Sequence, residues 1–399
     1  MINLLVISNA PIIDINDQYF AYSPYVSELE IWNNHADTIS FCCPIWNNKN
    51  GLLASEILFK INKIFGLKDF NVKGLKNALL AIPIILNSTI IIYNSIKVSN
   101  HIHIRCPGNV GLLACIVQIF FPKKIKTAKY AGNWDPKAKN PLSYKLQKWI
   151  LSNTFLTKNM QVLVYGYWEN QTKNIKPFFT ATFKESDKND IILRNFENQI
   201  NFLFVGMLTK GKNPLYAIQM VEKLKFKYNN VNLSIFGEGS ERTALEKYIK
   251  DNNLAEFISL KGNQDLEIIK KAYSESHFMM LPSESEGWPK AVAEAMFWGC
   301  LPIATAVSCV ESMLDGGNRG ILLNRNLETD VEEISNIIKN EKKYQEKVLN
   351  AVKWSRKYTL DFFEQEIGPS IYNVAVDDMR TALKNELEEW DYKFSELRK

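Results

Sequence analysis

Little in this chain points to metal or thiol chemistry. Six cysteines are scattered at 42, 43, 106, 115, 300 and 309. With no Cys-x-x-Cys and no short Cys/His spacing, neither a disulfide framework nor a zinc site is expected. Histidine occurs four times, and no Asp-x-Asp pair is present. A catalyst that neutralises phosphate with Mg or Mn needs clustered carboxylates for the ion, so no metal is expected. Long apolar runs are also missing. MINLLVISNAP has no basic start and no signal-length apolar segment, and Leu4–Ile7 reads as a buried strand. The most apolar stretch, Ala78–Tyr93, is short for a membrane span and is broken by Pro83, Asn87 and Ser88. It is expected to be a helix, buried or lying on a bilayer surface. Reduced thiols and a cytoplasmic location follow as expectations.

What is present suits two globular units. The 399 residues are 46% hydrophobic and 23% charged, enough apolar material for two separate cores. Residues 1–190 carry 21 basic against 12 acidic side chains, while residues 191–399 carry 27 against 31. The basic half is densest in Lys123–Lys148, with eight lysines and one aspartate. Such a run is either a solvated face or a surface for anionic partners, among them phosphorylated acceptors and anionic membrane; nucleic acid is disfavoured because few aromatics are interleaved. Strand and helix patterns alternate on both sides of a polar stretch at 191–199. The expected organisation is therefore an α/β unit over 1–190, a hinge at 191–199, a second α/β unit over 200–370 and a terminal helix over 371–399.

The second unit is organised around Leu281–Cys300, LPSESEGWPKAVAEAMFWGC, which reads as a strand end, a polar loop and a helix with Pro289 in its first turn. A helix start offers unpaired N–H groups and a positive dipole end, where phosphate binds readily. Lys290 adds a full charge there. Glu286 stands at the mouth of this helix and Glu294 lies about two turns further on. Carboxylates beside a phosphate are tolerated when they face hydroxyls, as on a ribose or a sugar. An anion cradle with two hydroxyl acceptors suggests a sugar nucleotide.

These residues resemble the E-x7-E signature of the retaining family-four glycosyltransferases (glycosyl transferases group 1) of the GT-B fold. The resemblance implies two Rossmann-like, doubly wound domains facing a cleft, with a final helix crossing back to the first domain. It implies that Glu286 contacts the donor sugar and Glu294 the ribose, with Gly287, Trp288, Pro289 and Lys290 beside the donor. Lys212, in VGMLTKGKNP, corresponds to the family's diphosphate-binding lysine. Met207 stands where the family has an arginine; Lys290, Lys210 or Arg105 could supply the missing charge, and the sequence does not choose among them.

Other turns fit around these. Gly206, Gly237 and Gly239 lie at strand ends where a backbone could approach a ligand, and Gly262-Asn263 is either a plain turn or the seat of the base. In the basic half, alternation puts His101, His103 and Arg105 on one strand face. The resemblance aligns His103 with an acceptor-side histidine, against the plainer reading of a satisfied core residue, and Arg105 stands one step beyond it. Asn133 and Trp134 form a candidate acceptor surface after the next strand. The expectation is a retaining, metal-independent glycosyltransferase without a cofactor, acting from a nucleotide-sugar donor on a saccharide or polyprenyl-diphosphate-linked acceptor in surface polysaccharide synthesis. A peripheral position on the inner membrane face goes with it. A sugar-nucleotide epimerase or phosphorylase on the same fold, or a catalytically silent partner of another transferase, are the alternatives.

Overall fold

The computed structural model describes residues 2–72 and 74–365. In chain order the first unit contains β1 (Asn3–Ile7), β2 (Ile12–Ile15), β3 (Gln18–Tyr22), α1 (Ser23–Asn33), β4 (Thr38–Trp46), β5 (Ala54–Glu56), β6 (Ile61–Leu67), α2 (Leu75–Val98), β7 (His101–Cys106), α3 (Asn109–Val117), β8 (Ile125–Tyr130), α4 (Leu142–Ser152), β9 (Met160–Tyr165) and β10 (Ile175–Phe178). Its parallel strands run in the order β6-β4-β1-β7-β8-β9-β10. Leu4, Leu5, Val6 and Ile7 are all buried, as a central strand covered on both faces requires. Each such side chain contributes about 1.5–3 kcal/mol on burial. On one face α2, α3 and α4 pack through Ile92, Ile96, Val110, Ala114 and Ile150. On the other lie Tyr25, Leu29 and Trp32 of α1 together with Phe363 from the far end of the described chain.

The segment after β1 forms the antiparallel hairpin β2–β3. Asn16 and Asp17 both take positive φ, 53° and 64°, the pair of conformations that a two-residue type I′ connection demands.

The second unit contains β11 (Ile200–Val205), α5 (Pro214–Lys225), β12 (Val231–Phe236), α6 (Arg242–Asp251), β13 (Ile258–Gly262), α7 (Leu266–Glu275), β14 (Phe278–Leu281), α8 (Lys290–Phe297), β15 (Leu301–Thr305), α9 (Val310–Met313), β16 (Ile321–Leu323), α10 (Leu327–Ile338) and α11 (Glu341–Ser355). The parallel order β13-β12-β11-β14-β15-β16 reverses direction between β11 and β14. Ligands of open α/β sheets bind at such a switch point, outside the carboxyl ends of the strands.

The chain changes units earlier than the composition suggests. Phe183 already packs on Phe297 and Trp298 of the second core. Residues 191–199 are pinned to the second unit: Arg194 donates to the carbonyls of Gly299 and Ser274, and Phe196 stacks on Phe278. The return crossing runs beside the first. Phe179 meets Tyr358 and Phe362, Leu360 N–H donates to the Phe183 carbonyl, and Asn34 Nδ2 of the first unit donates to Glu364 Oε1. The helix expected over 371–399 lies outside the described residues.

Candidate active site

The loop between β14 and α8 stands at the switch point, and its neighbours fix it. Glu286 is buried, and its Oε1 accepts from Lys212 Nζ at 2.6 Å. Lys212 reaches it from the turn after β11. Glu284 N–H donates to the Gly211 carbonyl at 2.8 Å, and Arg325 Nη2 donates to the Ser283 carbonyl at 3.0 Å. Asp330 holds Arg325 in place by accepting from its backbone N–H at 3.1 Å, at a φ of 62°. Two cations therefore reach one loop from different elements, and Arg325 is a residue the sequence reading missed. No periodic signal marks it, because its placement depends on the left-handed turn after β16. Met207 is 64% exposed, so the position of the family's arginine is open to solvent.

Pro289 caps α8 from the residue before it, rather than from within its first turn, and its carbonyl accepts the N–H groups of Val292 and Ala293. Glu294 lies one element deeper. It accepts from Thr182 Oγ1 at 2.6 Å and from Tyr273 OH at 3.1 Å. Both oxygens thus already serve as hydroxyl acceptors, and burial together with Glu294 pushes the Tyr273 phenol well above its ordinary value. Trp288 packs between Tyr165 and Phe179 of the first unit and Trp354 of the second. That places it in an aromatic seam between the units, where it lines one cavity with Lys290 and Glu294.

Gly287 makes the tightest contact across the cleft. A Cβ there would stand 2.6 Å from the carbonyl oxygen of Ala131, so any larger residue would wedge the units apart. The other glycines are held by each other. Gly206 N–H donates to the Phe236 carbonyl, Leu208 N–H to that of Glu238, and Gly237 N–H to that of Gly262. A Cβ on Gly237 would lie 1.9 Å from the Gly206 carbonyl oxygen, and one on Gly239 2.3 Å from that of Leu208. Gly206, Gly237, Gly239 and Gly262 thus stitch three strand-end turns together. Asn263, next to Gly262, is exposed at the rim.

Across the cleft, β7 and β8 end in a charge cluster. Arg105 Nη1 and Lys129 Nζ donate to the two oxygens of Glu28, at 2.9 and 2.8 Å. Arg105 also lies over the Tyr25 ring, and Lys129 over Phe178. Burial works against the Glu28 carboxylate, but Arg105 and Lys129 overcome it and hold its pKa far below the ordinary range. One carboxylate cannot offset two buried cations, and an arginine stays charged. Lys129 is the one that yields: burial pulls it down to about 7, with Arg105 and Lys290 pushing the same way against Glu28. Lys290 makes no ion pair among the described residues, and burial lowers its pKa. Sequence reading found Arg105 and Lys290 but neither Glu28 nor Lys129.

Two acceptor-side expectations are corrected. His103 is 1% exposed, shares Thr127 Oγ1 with His101 and lies against Trp32. It is buried beneath α1, next to the Arg105–Glu28–Lys129 cluster, whose charges act on it. Burial keeps it neutral, its pKa well below 6.5. Trp134 is likewise inside, on Tyr130 and under Lys148, with its Nε1 donating to Gln171 Oε1. Asn133 turns inward to accept from Asp135 N–H, on the turn that Gly287 touches.

Comparison with known proteins agrees with this geometry. Residues 185–354 match the family model described as glycosyl transferases group 1. A glycosyltransferase of Methanocaldococcus jannaschii, itself uncharacterized, is 27% identical over 201 residues, covering 50% of this chain and 55% of its own. The capsular polysaccharide biosynthesis glycosyltransferase CapH of Staphylococcus aureus is 30% identical over 29% of this chain and 33% of its own. The chain thus spans between a third and just over half of these curated relatives. Among solved structures, Anabaena HepE in complex with UDP superposes with a TM-score of 0.63 at 11% identity, over 94% of this chain and all of the other. The fold is GT-B, two Rossmann-like units facing a cleft. The stretch that the glycosyl transferases group 1 model matches lies almost wholly in the second of these units.

Proposed function

We propose that this protein moves a sugar from a nucleotide-sugar donor to a hydroxyl of a saccharide or lipid-linked acceptor, with retention of configuration and without a metal. The observation that carries this is the Lys212–Glu286 pair on a loop whose glycine tip touches the opposite unit. An ammonium has three N–H donors. One on Glu286 leaves two for the donor diphosphate, with Arg325 as a second cation. Fixed cations stabilise the charge that grows on the diphosphate as the bond from sugar C1 to phosphate oxygen breaks. The acceptor oxygen then bonds to C1 on the face the diphosphate leaves, and its proton passes to a diphosphate oxygen. Glu286 orients the sugar hydroxyls. Glu294 takes the ribose hydroxyls in place of Thr182 and Tyr273.

Metal independence is supported by these cations, which can neutralise the diphosphate themselves. A nucleotide is supported by a neighbour of the same fold that holds UDP. Relatives named for capsular polysaccharide and amylovoran biosynthesis support a surface polysaccharide as product. A panel of UDP-, GDP- and dTDP-sugars should contain one that raises the melting temperature, since a ligand of the native state alone stabilises it. That donor should give product with an acceptor pool, and Glu286→Ala should abolish turnover while the protein stays folded. Donor consumed at an equal rate with no acceptor present would instead indicate an epimerase or hydrolase.

A further inference from the structure

Helix α2 buries Ile92 and Ile96 on one face and leaves a second apolar face open. Of its side chains, Ser88 and Ser95 are among the most deeply buried, while Leu79, Ile82, Leu86, Ile90 and Tyr93 are between 44% and 66% exposed. These five recur at helical spacing along one solvent-facing stripe. Within Lys76–Val98 the most apolar 18-residue window has a mean hydropathy of 1.8, and only 28% of that window is buried. A core helix of a soluble domain shows the opposite arrangement, and a contiguous apolar patch of this kind marks a contact surface. The patch continues beyond α2. Tyr93 packs on Phe121 at 4.9 Å, and Phe120 is 71% exposed beside it.

Directly behind Phe121 and Pro122, at the amino ends of β8, β9 and β10, lies a hollow of about 690 Å³. Lys126, Lys158, Lys173 and Lys176 line it, and no acidic residue does. Lys158 also lies over the exposed Phe155 ring, 5.2 Å from its centre. Lys158, Lys173 and Lys176 make no ion pair among the described residues, and apolar side chains next to such lysines are the two elements that hold a helix in the interface of an anionic bilayer.

We propose that the first unit docks on an anionic lipid surface, α2 lying in the interfacial plane and the lysine-lined hollow taking lipid phosphates. A second copy of the chain fits this face less well, because two copies would bring the same lysines together. Helix α2 starts where β6 ends and finishes where β7 begins. Its first turn therefore stands at the cleft end of the sheet, and docking sets the cleft beside the bilayer. The inference does not depend on sugar transfer, since it is read without donor or acceptor.

The test is flotation of the full chain with vesicles of phosphatidylcholine alone and of phosphatidylcholine mixed with phosphatidylglycerol. Binding to the anionic vesicles that falls with added salt is expected, with little binding to the neutral ones. Leu86→Glu with Ile90→Glu changes two exposed positions, so melting should be unchanged while vesicle affinity falls about tenfold or more. Lys158→Gln, Lys173→Gln and Lys176→Gln together should remove the preference for anionic lipid. Three results would overturn the proposal: wild-type protein that does not float with anionic vesicles, a Leu86→Glu/Ile90→Glu variant that floats as well as wild type, or a lysine variant that keeps the anionic preference. A wild-type dimer by light scattering that the glutamates dissociate, without vesicle binding, would assign the face to a second copy instead.

Discussion

The two units are built on the same kind of parallel sheet and differ in what they bury and what they show. Among its described residues the second unit buries acidic and basic side chains only at Glu286, Asp330 and His277, and the first two hold the loops at the site. The first unit has Glu28, Lys126, Lys129, His101 and His103 inside, and aliphatic side chains outside along α2. Burying an ion costs several kcal/mol unless it is paired, so such a core is maintained only where each charge has a partner. Site geometry in the second unit follows from backbone, through a seam of glycines that many sequences can share. In the first it follows from particular side chains, which suits the half of a two-domain cleft that meets a variable ligand.

Breaking a buried charge should therefore be felt in the first unit most. Glu28→Gln leaves Arg105 and Lys129 desolvated without their carboxylate, a loss of about 3–5 kcal/mol. Adding Lys129→Met should restore part of it, because one cation then remains. Chemical denaturation monitored by Trp32 and Trp288 fluorescence follows the two units, and equal melting of Glu28→Gln and wild type would refute the cluster. Lys212→Ala makes the contrast. Its amine is about a quarter exposed, so water can replace part of what Glu286 loses and the stability loss should be smaller than for Glu28→Gln, while turnover falls about 10²–10³-fold as a donor to the leaving group is removed.

Acid sharpens the same comparison with a smaller effect. Burial lowers His101 and His277 to about 4 and His103 well below 6.5. The folded values lie below the unfolded one, so the unfolded chain binds more protons between pH 6.5 and 4. Stability is lost as pH falls through that window, by up to about 1.4 kcal/mol per pH unit for each histidine. At His277 the cause is visible: Nδ1 accepts from Asn201 N–H, and Nε2 lies 2.8 Å from the Asn195 carbonyl, a pattern that needs the neutral ring. Two of the three histidines are in the first unit, so it should unfold first on acidification. His103→Gln should flatten the slope, as read from melting temperature against pH.

The same division explains what the chain makes legible. In the second unit, the alternation of strands and helices expected from 200 onward is present through Ser355, because each apolar run is bounded by polar turns. The E-x7-E loop stands at the switch point, as its motif implies. Glu28 and its partners are 77 and 101 residues apart, and no local pattern records a pairing made across a sheet. His103 reads equally as ligand or core until Trp32 is seen against it. The hairpin at Asn16-Asp17 lacks the glycine that usually announces a type I′ turn. Composition alone made 191–199 look like a hinge, because the carbonyls that Arg194 binds lie on other elements. Burial on one face of α2 was not readable either, since its sequence is apolar all round.

Met207 offers the finest test, where a family pattern and this chain part. Its side chain is exposed at the end of β11, a short way from Lys212 in sequence, and it carries no charge to offer a diphosphate. Arg325 reaches the same loop from the turn after β16. If Arg325 serves as the second cation, Met207→Arg adds a third to a site already served, and UDP affinity should rise only several-fold, about 1 kcal/mol for an exposed charge pair. In an Arg325→Ala background the same substitution should restore most of the affinity that Arg325→Ala removes. Titration calorimetry of the four proteins with UDP closes this double-mutant cycle. Equal gains in both backgrounds would show that Arg325 takes no part in holding the diphosphate, and that Lys212 acts there without a second cation from β16.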